Sequence, residues 1–188
     1  MHWKQQIKNV CSKLAYGCHT LLRARECFRA PILRILYFAF VHGHLCYCLE
    51  TWGGTYKTYL EYILRLQKSA VRTITFAKTI DPSRPLFQEL RILPVSVAYK
   101  LKIAQIINTV IRTNDPIPLR LFRLPLRQTR AATNNRFDLS PCHNTYGQRL
   151  LEYNGAQIWN EIPDDIKLKH NFSALLKNIF LVCPELWD

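Results

Sequence analysis

The sequence has few acidic side chains, and its first 80 residues contain no aspartate at all. Thirteen Asp and Glu residues stand against 26 Lys and Arg residues, which gives a formal net charge of +13 at pH 7. Most of the excess lies in residues 1–80, where twelve basic residues meet only three acidic ones. A chain this basic usually meets a polyanion, most often nucleic acid. An anionic membrane surface and a basic surface that only aids solubility are the alternatives.

The motifs of several enzyme classes are also missing. The six glycines are scattered, so the sequence has no glycine-rich phosphate loop. It contains no G-x-S-x-G motif, and no histidine stands in a recognisable relation to a nucleophilic cysteine. From the residues alone we therefore expect a protein that catalyses no reaction and holds no cofactor.

No apolar run is long enough to cross a membrane. The most apolar stretch, residues 32–49, is interrupted by Arg34, His42, Gly43 and His44, whereas a membrane span needs about 20 mostly apolar residues. The seven cysteines are odd in number and irregularly spaced, and the polar start "MHWKQQIKNV" does not resemble a secretion signal. We therefore expect reduced thiols in an intracellular protein, in the nucleus or the cytoplasm.

Apolar residues recur at steps of three and four along most of the chain, which predicts a mainly α fold. We expect a helical bundle with an extended Arg/Pro-rich arm and a small β element near the C-terminus, at "RFDLSP". The stretch "YGQRLLEYNGAQIW" fits either a strand or a bent helix. Four regions are predicted: a three-helix region at 1–80, a linker with helices at 81–111, the arm at 112–144, and a C-terminal subdomain at 145–188 that ends in an amphipathic helix.

The second predicted helix should run from Pro31 to about Glu50. It is apolar nearly all round and is therefore expected to be central. Its segment "HGHLCYC" holds two His-to-Cys pairs with spacing four, and both residue types are zinc ligands. On one helix the two pairs point in different directions, so a structural role is favoured over a zinc site.

The third predicted helix, about Tyr56 to Phe76, has two opposite faces. At about 100° per residue, five side chains share the face that should pack inward: Tyr59, Ile63, Leu66, Ala70 and Ile74. Four cations share the opposite side, which we call the cationic face: Lys57, Arg65, Lys68 and Arg72. Glu61 is expected to lie outside it. Because exposed helix faces commonly mix both signs of charge, the cationic face predicts phosphate contacts. An ordinary solvated face is the alternative.

The predicted arm contains six arginines, no lysine and one acid between residues 112 and 136. Its prolines forbid a long helix, and arginine favours planar, bidentate contact with phosphate. Three of these arginines are candidate nucleic-acid ligands: Arg127, Arg130 and Arg136. The alternative is a variable surface loop.

The stretch "EYNGAQIWNEIPDDIK" ends in two adjacent aspartates, which is a pattern that polymerases use to hold catalytic metals. Such sites need further carboxylates from separate elements, and no distant aspartate lies on a convincing strand. Pro163 followed by Asp164 and Asp165 is also typical of a helix start, because acids favour the positive end of the helix dipole. We therefore expect a helix start and no metal site.

Several segments in order resemble the C-terminal part of the reverse transcriptase polyprotein of non-long-terminal-repeat retrotransposons, closest to the jockey-like elements. The resemblance covers nearly the whole chain. The segments that carry it are "HWKQQIKNVCSKLAYG", "LYFAFVHGHLCYCLETWGGTYKTYLEYILRLQKSAVRTI", "PLFQELRILPV", "TRAATNNRFDLSPCHNTYGQRLLEYNGAQIWNEIPDDIK" and "FSALLKNIF". The patterns that recur in that family include Trp52-Gly53, Leu66-Gln67-Lys68, Tyr146-Gly147 and "IWNEIP".

This resemblance implies thumb and post-thumb helices that grip a template–primer duplex, downstream of the catalytic palm and fingers. It implies nucleic acid as partner, whether RNA–DNA hybrid, RNA or DNA, together with the palm and fingers of the parent polyprotein. Magnesium is expected only in the full-length parent enzyme. A transposon relic without activity, or a helical protein-interaction module, remains the alternative.

Overall fold

The computed structural model describes residues 3–113, 121–122, 136–139, 141–167 and 169–183. Its contacts divide the chain into two compact units, one formed by Met1–Ala98 with Phe180–Asp188 and the other by Tyr99–Ile179. This partition does not test the four regions predicted from composition. The fold is mainly α, as predicted. No helix in the described ranges has both the length and the apolarity that a membrane crossing requires.

Among the described residues of the first unit, seven α-helices begin, and a π-helical turn joins two of them. They are α1 (Lys4–Ala24), α2 (Ala30–Tyr37), the π-helical turn (Phe38–His42), α3 (Gly43–Cys46), α4 (Leu49–Trp52), α5 (Lys57–Thr75), α6 (Ser83–Glu89) and α7 (Val95–Thr113). Periodicity predicted α5 almost to the residue, and Pro94 marked the start of α7 as expected. In the region predicted as a linker with helices, 81–111, α6 begins at Ser83.

The second predicted helix is broken, and the expectation that it runs to about Glu50 is wrong. Tyr47 is extended and Cys48 is left-handed, with φ 48°, so the chain turns before α4 begins. The Trp52 indole N–H donates to the Tyr47 carbonyl at 2.9 Å, which satisfies an acceptor that the break would leave unpaired. This contact gives the Trp52-Gly53 pattern a structural role.

The same helix is also less central than its composition predicted. Ile32 and Ile35 on α2 are 44% and 66% exposed, and Phe28 just before it is 45% exposed. Only one side of the helix is packed, through Leu33, Tyr37 and, in the π-helical turn, Val41. An apolar row therefore faces outward at spacings of four and three.

A glycine allows α1 to approach the π-helical turn. A Cβ added at Gly17 would lie 2.8 Å from the Phe40 carbonyl oxygen and 2.9 Å from a Val41 methyl. Both distances are shorter than real Cβ contacts, so any larger residue would force the two backbones apart. This close approach places α1 beside both the π-helical turn and α5.

Gln67 on α5 is completely buried and joins three segments of the first unit. Its amide nitrogen donates to the Tyr37 hydroxyl at 3.0 Å and to the Leu93 carbonyl at 2.8 Å. Its amide oxygen accepts from the Val95 N–H at 2.9 Å. Because Leu93 offers only an acceptor and Val95 only a donor, the network fixes the orientation of the amide. The Val95 N–H lies in the first turn of α7, where backbone donors have no partner within the helix, and Gln67 supplies its acceptor.

The second unit is built around aromatic rings. Trp159 is 1% exposed and lies between Phe137 and Phe172, with ring centroids 6.5 and 5.7 Å away. Its helices are α8 (Leu151–Glu161), α9 (Asp164–Lys167) and α10 (Phe172–Val182), with a 3-10 turn at Gly147–Arg149 and the later part of α7. The stretch that fitted either a strand or a bent helix is therefore helical.

The predicted β element near the C-terminus does not form a strand in residues 136–139. Only Asp138 forms an isolated bridge. The Asn160 side chain instead pairs with the backbone of Phe137 through two hydrogen bonds, of 2.9 and 2.8 Å. An amide therefore takes the place that a neighbouring strand would occupy. Of the arm predicted at 112–144, residues 114–120, 123–135 and 140 lie outside the described residues.

Replacing Gln67 with Leu should destabilise the first unit strongly. The variant leaves the Val95 N–H, the Leu93 carbonyl and the Tyr37 hydroxyl buried without this partner, and a buried unpaired group costs about 1–3 kcal/mol. We expect a loss of about 3 kcal/mol or more in chemical denaturation. Ser69→Ala on the exposed side of α5 is the control and should change stability by less than about 0.5 kcal/mol. Equal stability of the two variants would contradict this role of Gln67.

Candidate nucleic-acid interface

Helix α5 has one buried side and one side that faces solvent. Of the five residues predicted to pack inward, Ile63, Ala70 and Ile74 are fully buried, while Tyr59 and Leu66 are partly buried. The prediction missed Gln67 and Val71, which are buried beside them. On the other side, Lys57 and Arg65 are exposed and Lys68 is partly exposed. The structure thus places three of the four predicted cations on one accessible surface.

One expectation about this surface is wrong. Glu61 follows Lys57 by four residues and precedes Arg65 by four, so helical spacing places it among the cations and not outside them. It is exposed, yet it forms no salt bridge with either neighbour in the described residues. The cationic face therefore has mixed charge, with four cations and one carboxylate.

Arg72 differs from the other members of the cationic face because it holds a loop. Its Nε and Nη2 donate to the Asp81 carbonyl at 3.1 and 2.9 Å. The Asp81 carboxylate accepts from the Lys78 N–H at 2.7 Å, which closes the turn between α5 and α6. Removing Arg72 would therefore loosen this turn, whether or not the side chain also meets phosphate. Lys57 and Lys68 have no such role, since neither pairs with an acid within the described ranges.

The arginines of the predicted arm are only partly described. Arg127 and Arg130 lie outside the described residues, so their predicted contacts stay predictions. Arg136 is 46% exposed, and its Nη2 lies 3.1 Å from an oxygen of Asp164. Arg112, at the end of α7, donates to the Lys169 carbonyl. Both of these arginines thus bind partners within the chain.

The adjacent aspartates begin a helix, as predicted, and have different surroundings. Asp164 opens α9 and its second oxygen accepts from Lys167 Nζ at 2.8 Å. Hydrogen bonds from Lys167 and then Arg136 hold the pKa of Asp164 below its usual range. Lys167 is 3% exposed, and its Nζ lies 5.4 Å from the Trp159 ring. Burial lowers the pKa of Lys167, and Asp164 opposes that shift. Asp165 is exposed.

The "HGHLCYC" segment brings together one of its two His–Cys pairs. Cys46 Sγ lies 3.3 Å from His42 Nε2, whereas the break at Cys48 removes the second pair from a common helix. No three His, Cys, Asp or Glu side chains cluster as metal ligands in the part of the chain that the structure describes. In the described residues none of the seven cysteines forms a disulfide. Burial raises the pKa of Cys18 to about 11, which makes this thiol a poor nucleophile at neutral pH.

Comparisons with protein-family models, curated proteins and solved structures found no match. Any functional argument therefore depends on the residues and contacts of this chain. Among those, the strongest accessible feature is the group of Lys57, Arg65 and Lys68 on α5, because the other described cations of the predicted site bind partners within the fold.

Single substitutions of Asp164 and Asp165 distinguish a structural role of these residues from a catalytic one. Asp164→Ala leaves the buried ammonium group of Lys167 without its acceptor, so we expect a loss of about 2 kcal/mol in the free energy of unfolding. Asp165→Ala should change it by less than about 0.5 kcal/mol. Thermal and urea denaturation of both variants measures the difference.

The same contact predicts a pH dependence. Because the pKa of Asp164 is lowered in the fold, its contribution to stability is present above the usual aspartate range and is lost as the pH falls through the lowered pKa. Asp164→Ala should therefore flatten the stability profile at acidic pH. A catalytic pair would behave differently, since both substitutions would abolish magnesium-dependent primer extension while stability stayed the same.

Proposed function

We propose that this chain is a non-catalytic, nucleic-acid-binding C-terminal part of a non-long-terminal-repeat retrotransposon reverse transcriptase. In this proposal α5 lies along the phosphate backbone of a template–primer duplex and positions it without reading its sequence. The observation that carries the proposal is the accessible group of Lys57, Arg65 and Lys68 on the side of α5 opposite its buried residues. The proposed family is supported by the ordered sequence patterns that resemble the reverse transcriptase polyprotein.

The packing of α5 supports this role. Gln67 and Ile63 fix the helix on its buried side, so the cations on the other side keep a constant spacing along a rigid element. Lys57 and Lys68 are eleven positions apart, which at a rise of about 1.5 Å per residue corresponds to roughly 16 Å along the helix axis. Phosphates in one strand of a duplex follow one another every few ångströms, so one helix of this length reaches several of them.

In this proposal the chain itself neither polymerises nucleotides nor binds magnesium. Asp164 binds Lys167 and Arg136, and its neighbour Asp165 is exposed. We propose that polymerisation and magnesium binding belong to the palm of the parent polyprotein. The proposed location is intracellular, in the nucleus or the cytoplasm.

A second candidate is a protein-interaction module, and one observation favours it. Phe28, Ile32 and Ile35 present an outward apolar row, which is a feature of protein contact surfaces. This candidate and the first are compatible, because a thumb-like region must also contact the palm and fingers. An inactive transposon relic would show the fold but no salt-dependent binding.

The proposal predicts how binding responds to salt. Each phosphate neutralised by a cation contributes about −0.9 to the slope of log K against log salt for duplex DNA. The triple variant Lys57→Gln, Arg65→Gln and Lys68→Gln should therefore lower the magnitude of the slope by up to about 2.7 if all three residues contact phosphate. Affinity should fall equally for all sequences. Fluorescence anisotropy on an RNA–DNA hybrid and on duplex DNA measures both effects.

A matched control distinguishes the effect of phosphate contacts from the effect of a lower net charge. Lys102, Lys169 and Lys177 are exposed, so changing all three to Gln removes the same charge from other surfaces and should leave the slope nearly unchanged. The melting temperatures of both triple variants should stay close to that of the parent. Equal slopes for the parent and the α5 variant, or equal binding of the parent to polyglutamate, would contradict the proposal. Arg72 is left intact because of its bonds to Asp81.

A further inference from the structure

A groove between α1 and α5 adjoins the cationic face. Its volume is about 580 Å³, which lies within the range of about 300–1,000 Å³ for small-ligand sites. Lys4 and Lys8 line it on α1, and Tyr59 and Tyr62 line it on α5. We call it the tyrosine groove. It lies wholly within the first unit, and none of its residues was singled out as a binding residue by the sequence patterns.

Tyr62 is the unusual member of this groove. Its side chain is 58% exposed, although tyrosine on a packed helix commonly buries most of its ring. The Arg65 guanidinium lies 5.5 Å from the ring centroid, so a cation from the cationic face contacts the ring at the rim of the groove. The groove thus offers an accessible π surface next to a cation.

The wall opposite Tyr62 is positively charged. Lys4 and Lys8 are one helical turn apart, both are exposed, and neither forms a salt bridge with a described residue. The first turn of α1 contains no acidic residue, and no side chain caps it. The positive end of the α1 dipole therefore adds to the positive potential at the Lys4 end of the groove.

An aromatic ring flanked by three cations matches the chemistry of single-stranded nucleic acid. Bases of any kind stack on an exposed ring, while cations along the groove follow the phosphates. An acidic peptide would use the lysines but would gain little from Tyr62. A paired duplex would use the cations as well, but its bases are stacked on one another and cannot reach the ring.

We propose that the tyrosine groove binds an unpaired stretch of RNA or DNA that continues from the duplex held by α5. One unpaired base stacks on Tyr62, and the adjoining phosphates contact Lys4 and Lys8. Arg65 lies between the two surfaces and belongs to both. This inference rests on the proposed duplex binding, and it adds that the chain prefers a junction of duplex and single strand over a blunt duplex.

The test compares three forms of one RNA–DNA hybrid: blunt, with a single-stranded overhang, and with an abasic overhang. We expect the parent protein to bind the overhang form roughly tenfold more tightly than the blunt form, since stacking of one base has an effect of this order. The abasic overhang should lose most of this preference. Polyglutamate should not compete at matched charge concentration.

Variants then assign the preference to the groove. Tyr62→Ala should remove it while leaving affinity for the blunt form within about twofold, and Tyr62→Phe should retain it because the ring remains. Tyr16→Ala, at a tyrosine that is 70% exposed elsewhere on α1, is the matched control and should bind like the parent. Lys4→Gln with Lys8→Gln should reduce the salt slope of the overhang contribution by about 1.4. Circular dichroism confirms that each variant is folded.

The outcomes separate the two proposals. Salt-dependent binding of the blunt form without any overhang preference would overturn the tyrosine groove and leave duplex binding by α5 intact. A preference that survives Tyr62→Ala would also overturn it, as would equal losses on blunt and overhang forms. No salt-dependent binding to any form would overturn both proposals.

Discussion

The side chain of Gln67 is the contact on which the first unit depends. It pairs with the Tyr37 hydroxyl of α2, with the carbonyl of Leu93 and with the first N–H of α7, so one amide joins three helices. An apolar residue at this position would fill the space but would leave three buried groups without this partner. The Leu66-Gln67-Lys68 pattern therefore combines a structural amide with a solvent-facing cation on the next residue.

This arrangement determines where the candidate interface lies. Because Gln67 and its buried neighbours fix the orientation of α5, Lys57, Arg65 and Lys68 are directed to solvent together. Gly17 allows α1 to approach the π-helical turn closely, and α1 in turn forms the second wall of the tyrosine groove. Packing on one side of the helices thus positions the cations and the exposed ring on the other side. Binding residues on rigid helices keep their spacing without any ligand.

Local patterns predicted those parts of the fold that depend on local physics. Periodicity identified α5, Pro94 marked α7, and Pro163 with Asp164 marked α9. Contacts between segments that are distant in the sequence could not be predicted from local patterns. The partners of Gln67 lie 26 to 30 residues away, and the ion pair of Arg136 joins residues 28 positions apart. Helical spacing alone would have placed Glu61 among the cations, so the expectation that it lies outside the cationic face was wrong.

Chemical footprinting of lysines tests the central claim, which is that α5 contacts the phosphate backbone. The protein is acetylated with a lysine-specific reagent, alone and with saturating RNA–DNA hybrid, and the modification of each lysine is measured by mass spectrometry. We expect the hybrid to protect Lys57 and Lys68, while Lys102 and Lys177 react equally in both samples. If the hybrid binds but Lys57 and Lys68 remain as reactive as in the free protein, the duplex lies elsewhere and α5 is not its binding surface.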